Sequence, residues 1–279
     1  MGQAEDYLKR IVAEALTEDL GLAGDITSQT IMPENLLGEA VIVAKQSGVV
    51  AGLFVGEAVF HALDPDTVFD SRVDDGDEVE PDQIIVRLSG NLLSILSCER
   101  VALNFIAHLS GIATLTREYV QMAAQHGAAI KDTRKTTPGL RPLEKYAVLV
   151  GGGTNHRFGL YDAVLVKDNH IAVAGSITRA VELVRENLEE PLPIEVETET
   201  LEQVEEALLV GADIIMLDNM DERTIAAAVA LIDGQAEVEV SGGVTLENLA
   251  AKAAAGPDFI SVGSITQSAP AFDFSLIVS

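Results

Sequence analysis

The chain of 279 residues has no tryptophan, one cysteine, and only 18 lysines and arginines against 44 aspartates and glutamates. Each shortage excludes something. The single Cys98 can form neither an internal disulfide nor a multi-cysteine metal site. A formal net charge of −26 cannot hold nucleic acid or an acidic membrane by its overall field. No uninterrupted apolar run reaches the ~18 residues a bilayer requires. The opening residues lack the basic-then-apolar order of a signal peptide. These absences predict a cytoplasmic protein with no nucleic-acid or membrane partner. Hydrophobic residues are not scarce: at 48% they can bury a large core despite the charge.

Only seven of the basic residues are lysines. A surface this acidic repels itself in dilute buffer. At molar salt the screening length falls to about 3 Å and the repulsion fades. The composition therefore predicts a halophilic protein, adapted to a very salty cytoplasm.

Leu8, Ile11, Val12, Ala15 and Leu16 repeat at helical spacing, so the chain opens with an amphipathic helix that Gly21, Gly24 and Asp25 break. Residues 39–46 alternate as a strand, 52–63 read as a helix, and Val73-Asp74-Asp75-Gly76 is a turn signal before a strand at Ile84–Leu88. Residues 91–126 read as mostly helical, with Gly111 as a joint.

After Gly127 short β-rich segments alternate with helical ones. The strands fall at Ala129–Asp132, Ala163–Lys167, Pro193–Glu197, Asp213–Asp218, Glu237–Ser241 and Phe259–Gly263. That rhythm implies a parallel sheet, open or closed into a barrel. Lys167, Glu197, Asp218 and Ser241 each end a different strand; Arg134 and Lys135 follow the first, and Gly263-Ser264 end the last. Polar groups at every strand end favour a barrel, whose C-terminal rim carries the chemistry, over a doubly wound sheet with one switch point. The expected fold is α/β. A mixed α/β N-terminal domain (1–110) precedes an open barrel of about six parallel strands (111–267), and 268–279 pack back on the first domain.

The few cations are not spread evenly. Residues 131–170 hold seven (Lys131, Arg134, Lys135, Arg141, Lys145, Arg157, Lys167) against four acidic residues, a balance of +3 against −29 for the rest of the chain. His156 and His170 share that window. A pocket for a polyanionic small molecule explains the exception, since arginine matches carboxylate and phosphate with two parallel hydrogen bonds. Glu195 and Glu197 share one face of their strand and Asp218 ends the next. Carboxylates so placed can hold Mg²⁺, bind ribose hydroxyls or stabilise a cationic transition state. Ser241-Gly242-Gly243 and Gly263-Ser264 suit paired phosphate loops after the last two strands. Gly151-Gly152-Gly153 follows a helical segment and is no dinucleotide fingerprint.

Longer motifs follow one another in a recognisable order. They include Glu18-Asp19-Leu20-Gly21, Gly24-Asp25-Ile26-Thr27-Ser28, Lys131-Asp132-Thr133-Arg134-Lys135-Thr136-Thr137-Pro138-Gly139-Leu140-Arg141, Asn155-His156-Arg157 and Val166-Lys167-Asp168-Asn169-His170. Glu195-Val196-Glu197, Leu217-Asp218-Asn219, Ser241-Gly242-Gly243 and Ser261-Val262-Gly263 continue it. From about residue 14 to 276 the chain resembles quinolinate phosphoribosyltransferase, also called carboxylating nicotinate-nucleotide pyrophosphorylase.

The resemblance implies a reaction of quinolinate with phosphoribosyl pyrophosphate. The products are nicotinate mononucleotide, pyrophosphate and CO₂, and the reaction uses Mg²⁺ and serves NAD biosynthesis. It implies a homodimer, or a higher oligomer built on it, in which Arg100 reaches the neighbouring subunit's site. Arg134, His156, Arg157 and Lys167 would bind the quinolinate carboxylates. Lys135 and Lys167 would face the pyrophosphate or ribosyl centre, and Glu197 and Asp218 would serve metal and ribose. Ser241, Gly242, Gly263 and Ser264 would cradle the 5-phosphate. The chain departs from the family pattern at Ser264 and Gln267, where alanine and histidine are usual.

Two rivals share parts of this pattern: a paralogous pyrophosphorylase of the molybdate-transport-associated type, and a non-catalytic phosphate-sensing protein. A third, a biotinyl or lipoyl carrier suggested by Val73–Gly90, fails because no lysine lies between Lys45 and Lys131.

Overall fold

A computed structural model describes residues 2–278. The chain forms two compact units, one running to Leu115 and taking in the last segment from Ala269, the other Thr116–Ser268.

The first unit opens with α1 (Gly2–Leu20), whose Ile11, Val12 and Leu16 are buried as the helical stripe requires. Asp25 reads in the sequence as a helix breaker. It is in fact a cap: its Oδ1 accepts the N–H groups of Thr27 and Ser28 at 3.1 and 2.9 Å and so starts α2 (Ile26–Ile31). Then come β1 (Leu37–Ala44), β2 (Gly48–Val49), α3 (Leu53–Leu63), β3 (Val68–Ser71), β4 (Glu78–Val79) and β5 (Ile84–Asn91). An antiparallel sheet places the chain's last strand, Phe274–Val278, beside β1, then β5 and β3. The acidic turn before β4 is scaffold: the Asp75 carboxylate accepts the N–H groups of Gly52 and Leu53 at 2.9 and 3.1 Å and starts α3.

Helix α4 (Leu92–Ala124) is long and apolar enough to cross a membrane by length and composition. Its Ile95, Leu103, Ile106, Leu109 and Ile112 are buried, however, and form core. The expected joint at Gly111 is absent, and the helix runs through it. Glycine is needed for a different reason: a Cβ there would overlap the carbonyl oxygen of Pro270. Backbone cannot yield as a side chain tip can. Gly111→Ala is therefore expected to cost about 3 kcal/mol or more, read as a drop of roughly 5–10 °C in a thermal melt. An unchanged melt would show that the tail is not held against this helix.

The second unit carries the βα rhythm at the expected positions. Its elements are β6 (Ala129–Lys131), α5 (Arg141–Val150), β7 (Val164–Val166), α6 (Asp168–Ala174), α7 (Ile177–Asn187) and β8 (Ile194–Thr198), followed by α8 (Leu201–Leu209), β9 (Ile214–Asp218), α9 (Glu222–Ile232), β10 (Glu237–Ser241), α10 (Leu246–Ala253), β11 (Phe259–Ser261) and α11 (Ser264–Gln267). Side-chain caps start several of the helices: Ser176, Thr200 and Asp221 accept the N–H groups of Arg179, Gln203 and Thr224.

The sheet order is β6-β11-β10-β9-β8-β7, every pair parallel. The first strand thus pairs with the last, as in a barrel. A closed barrel would also pair β6 with β7. Instead Lys131 makes a single bridge to Thr154, so the barrel is open between β6 and β7. Strand alternation then turns every second residue inward.

Candidate active site

The C-terminal strand ends surround a cavity of about 500 Å³. Thr133, Arg134 and Lys135 reach it from the loop after β6, and His156 and Arg157 from the segment before β7. Lys167 follows β7, Glu197 lies on β8 and Asp218 ends β9. Ser241, Gly242 and Gly243 come from the end of β10. The pairs Leu165/Lys167 and Met216/Asp218 both line it, as the two-residue period of an inward strand face demands.

The cationic window divides in two. Arg134, Lys135, Arg157 and Lys167 line the cavity, while three cations expected there serve the structure. Lys145 is 1% exposed, pairs with Asp132 and donates to the His156 carbonyl at 2.9 Å. Arg141 ties its loop together through Thr136 Oγ1 at 2.9 Å and the Phe158 carbonyl at 3.0 Å. Lys131 points into the barrel, 2.8 Å from Glu239 and 3.5 Å over the Phe259 ring. A count along the chain registers charge but not direction, which is why these three were indistinguishable from the other four.

The Arg134 Nε is buried and has no hydrogen-bond partner among the described residues. Burial pushes the Arg157 guanidinium down, and the like charge of Arg134 adds to that; Glu195 and Asp162 oppose both. Two guanidiniums that repel each other form a site that gains from an anion between them.

Lys167 Nζ donates to Glu197 Oε2 at 2.5 Å. His170 positions this loop, its Nδ1 accepting the Lys167 N–H at 2.9 Å. Asn219 orients Asp218, donating to its Oδ2 at 2.7 Å. Asn219 adopts a positive φ of 54°, and its backbone N–H reaches the Ser241 carbonyl at 2.9 Å. Its side chain presses on Gly242, whose φ is 89° and where a Cβ would overlap the amide. Gly242 is thus glycine for two reasons, positive φ and close approach.

Neither Gly263 nor Ser264 is on the cavity wall; Gly263 lies beside Lys135, where a Cβ would come 2.9 Å from Lys135 Cδ. The Thr266 hydroxyl donates to the Lys135 carbonyl at 2.8 Å, and Ser264 Oγ is buried with no partner among the described residues. Arg100 is on α4 in the first unit, 63% exposed and 3.8 Å from Glu99.

His156 lines the cavity, with both ring nitrogens occupied. Nδ1 accepts the Arg157 N–H at 2.7 Å, and Nε2 faces Glu195 at 3.0 Å and Glu239 at 3.4 Å. Burial pushes the Glu195 carboxyl up, and its hydrogen bond to His156 works against this. Asn219 lines the cavity and Glu239 stands behind it, and neither was singled out in the sequence, where Glu195 was marked only as sharing a strand face with Glu197. The inward alternation of Glu195/Glu197 and Glu239/Ser241 was the available signal for two of them.

A larger groove of about 790 Å³ runs along β7 and α6, lined by Leu160, Val164, Val166, Val173 and Leu183 among others. It is mainly apolar and carries no matched set of cations and carboxylates, so the smaller cavity is the candidate for chemistry.

Two family profiles match this chain. "Quinolinate phosphoribosyl transferase, N-terminal domain" covers residues 25–110, and the corresponding C-terminal domain covers 112–277. A Synechocystis protein named probable nicotinate-nucleotide pyrophosphorylase [carboxylating] is 50% identical over 94% of this chain and 89% of its own. A Bacillus subtilis protein of the same name is 46% identical over 98% and 93%. Among solved structures, the nicotinate-nucleotide pyrophosphorylase from Francisella tularensis superposes with a TM-score of 0.94 at 40% identity, covering 98% of this chain and 96% of that one.

Proposed function

The chain belongs to the quinolinate phosphoribosyltransferase family, and from that premise we propose how its residues divide the work. The enzyme transfers the phosphoribosyl group of phosphoribosyl pyrophosphate to quinolinate, giving nicotinate mononucleotide, pyrophosphate and CO₂ in NAD biosynthesis. One observation carries the assignment to this cavity. In a protein of net charge −26, four cations converge on one cavity and face two strand-end carboxylates there.

Quinolinate is a dianion, and its ring nitrogen must attack the anomeric carbon of a polyanion. Arg134, Arg157 and Lys167 neutralise the two carboxylates, and His156 lines the same part of the pocket. Lys135 faces the pyrophosphate. Ser241 and Gly242 receive the 5-phosphate, with Gly263, beside Lys135, and Ser264 in support. As pyrophosphate leaves, the ribosyl carbon gains oxocarbenium character, which Glu197 and Asp218 stabilise. Decarboxylation then breaks the bond between the carboxylate and the ring carbon beside nitrogen, leaving an electron pair there that the cationic nitrogen stabilises until a proton from water replaces the lost CO₂.

Glu197 and Asp218 also suit Mg²⁺. Both are hard oxygen donors at neighbouring strand ends, and each has a carboxylate oxygen outside the hydrogen bonds to Lys167 and Asn219. When bound, the ion would offset charge building on the departing pyrophosphate. Chelation is expected to abolish turnover and added Mg²⁺ to restore it. Asp218→Asn should lower kcat roughly 10²-fold or more. Full activity in chelator would remove the metal from the proposal.

We also propose a cytoplasmic homodimer in which Arg100 completes the partner's site. The open barrel edge supports it: Leu160 and Val173, which line the apolar groove, are each more than 70% exposed. A monomer in sedimentation at working concentration would end that reading. Quinolinate-dependent CO₂ release, assayed over a KCl series, tests function and salt adaptation together. Nicotinate should be a poor substrate, because it leaves one cation set unpaired. No CO₂ release with both substrates present refutes the function. Full folding and activity without added salt refutes only the halophilic adaptation.

A further inference from the structure

Beneath the cavity, and reaching its wall through Ser261, lies a buried polar set that the reaction above does not use. Glu239 is 0% exposed, and both its oxygens are taken: Lys131 Nζ reaches Oε2 at 2.8 Å and Ser261 Oγ donates to Oε1 at 2.5 Å. Glu195, 4% exposed, stands beside it with Oε2 on His156 Nε2 at 3.0 Å. Two carboxylates inside a barrel are costly, and apolar residues of similar volume would fill the space more cheaply. The trio His156, Glu195 and Glu239 has the composition of a metal site. The cation's place is already taken by the Lys131 ammonium, and His156 Nε2 must carry a proton to bond a carboxylate.

We propose that Glu195 is a positioning residue for the quinolinate pocket, acting through His156, and that Lys131, Glu239 and Ser261 form the fixed base that keeps Glu195 in place. With Nδ1 accepting the Arg157 N–H and Nε2–H donating to Glu195, the imidazole is held in one tautomer and one orientation. No ring nitrogen is left for a substrate carboxylate. His156 therefore meets the pyridine ring with its carbon edge and defines shape, while Arg134, Arg157 and Lys167 read charge. This division rests on the function proposed above, whereas the state of the imidazole does not.

The test uses protein labelled with ¹⁵N at its five histidines, with the His156 signals assigned by their loss in His156→Phe. The intact protein should show a single His156 tautomer, protonated at Nε2 and unprotonated at Nδ1, with no substrate present. Glu195→Ala should shift the Nε2 signal, as its nearest acceptor is lost, and raise the KM for quinolinate by roughly 10-fold or more, leaving the KM for phosphoribosyl pyrophosphate unchanged. Glu195→Gln, whose amide oxygen still accepts from Nε2–H, should keep the tautomer and stay within about 3-fold of the intact enzyme. If Glu195→Ala does not fold, Glu239→Gln, which alters the base without touching the cavity wall, should still raise the quinolinate KM selectively. Equal losses in the Ala and Gln variants, an unaltered Nε2 signal in Glu195→Ala, or a parallel rise in both KM values would overturn the proposal. Failure of the intact enzyme to release CO₂ would sink the functional reading while leaving the nitrogen signals to decide this one.

Discussion

Replacing Arg134 by alanine is expected to lower kcat/KM for quinolinate by roughly 10²- to 10⁴-fold, since two charge-assisted hydrogen bonds are worth about 3–6 kcal/mol together. Arg134 Nε is buried without a hydrogen-bond partner among the described residues, and its charge adds to the burial that pushes the Arg157 guanidinium down. Its presence costs the unliganded protein something, and the cost is recovered only when an anion arrives. Arg134→Ala should therefore melt at or slightly above the temperature of the intact protein while losing most of its activity. The KM for phosphoribosyl pyrophosphate should move little. Arg134→Lys should recover charge but not the planar fork, and so only part of the rate. A variant with near-normal kcat/KM would remove Arg134 from quinolinate binding. A variant that melts far lower would show that Arg134 holds the fold instead.

The contrast between Arg134 and its neighbours shows what a sequence can and cannot carry. The strand rhythm after Gly127 was legible because a parallel barrel buries both faces of its strands, leaving short apolar runs between helical ones. Lys167, Glu197, Asp218 and Ser241 were legible as site residues because each interrupts such a run at its end. Direction was not legible in the same way. Lys131 ends β6 much as Lys167 follows β7, yet one turns into the barrel toward Glu239 and the other opens on the cavity. Gly111 failed for a related reason. Its need for glycine lies in Pro270, distant in sequence, and not in its own backbone angles. Asp25 is the opposite case, a local cap that was present in the sequence and read as a break.

Lys145→Met is expected to cost about 3–5 kcal/mol of folding stability, the usual result of removing one partner of a buried ion pair. Lys145 and Asp132 are both essentially inaccessible to solvent. Asp132 Oδ1 also accepts the His156 N–H at 2.9 Å, and Lys145 donates to the His156 carbonyl at 2.9 Å. The pair thus clamps the backbone that delivers His156 and Arg157 to the cavity, so kcat/KM should fall although Lys145 does not line it. The pH dependence gives the loss a signature. Burial pushes the Asp132 carboxyl up, while the hydrogen bond and charge of Lys145 oppose this. Without Lys145 the burial is opposed only by the lesser effect of His156, and the folded state shifts further toward the protonated acid. A carboxyl raised on folding favours the native state at low pH, and that benefit is lost as pH rises through its folded value. The deficit of Lys145→Met relative to the intact protein should therefore shrink toward acid and widen toward neutrality. Adding Asp132→Asn should recover part of it, because the amide oxygen still accepts from His156 and no charge is left buried. Denaturant titrations of the single and double variants at constant salt measure both effects. A deficit that does not change with pH, or is not relieved in the double variant, would mean that Lys145 stabilises by packing and that Asp132 does not depend on its charge.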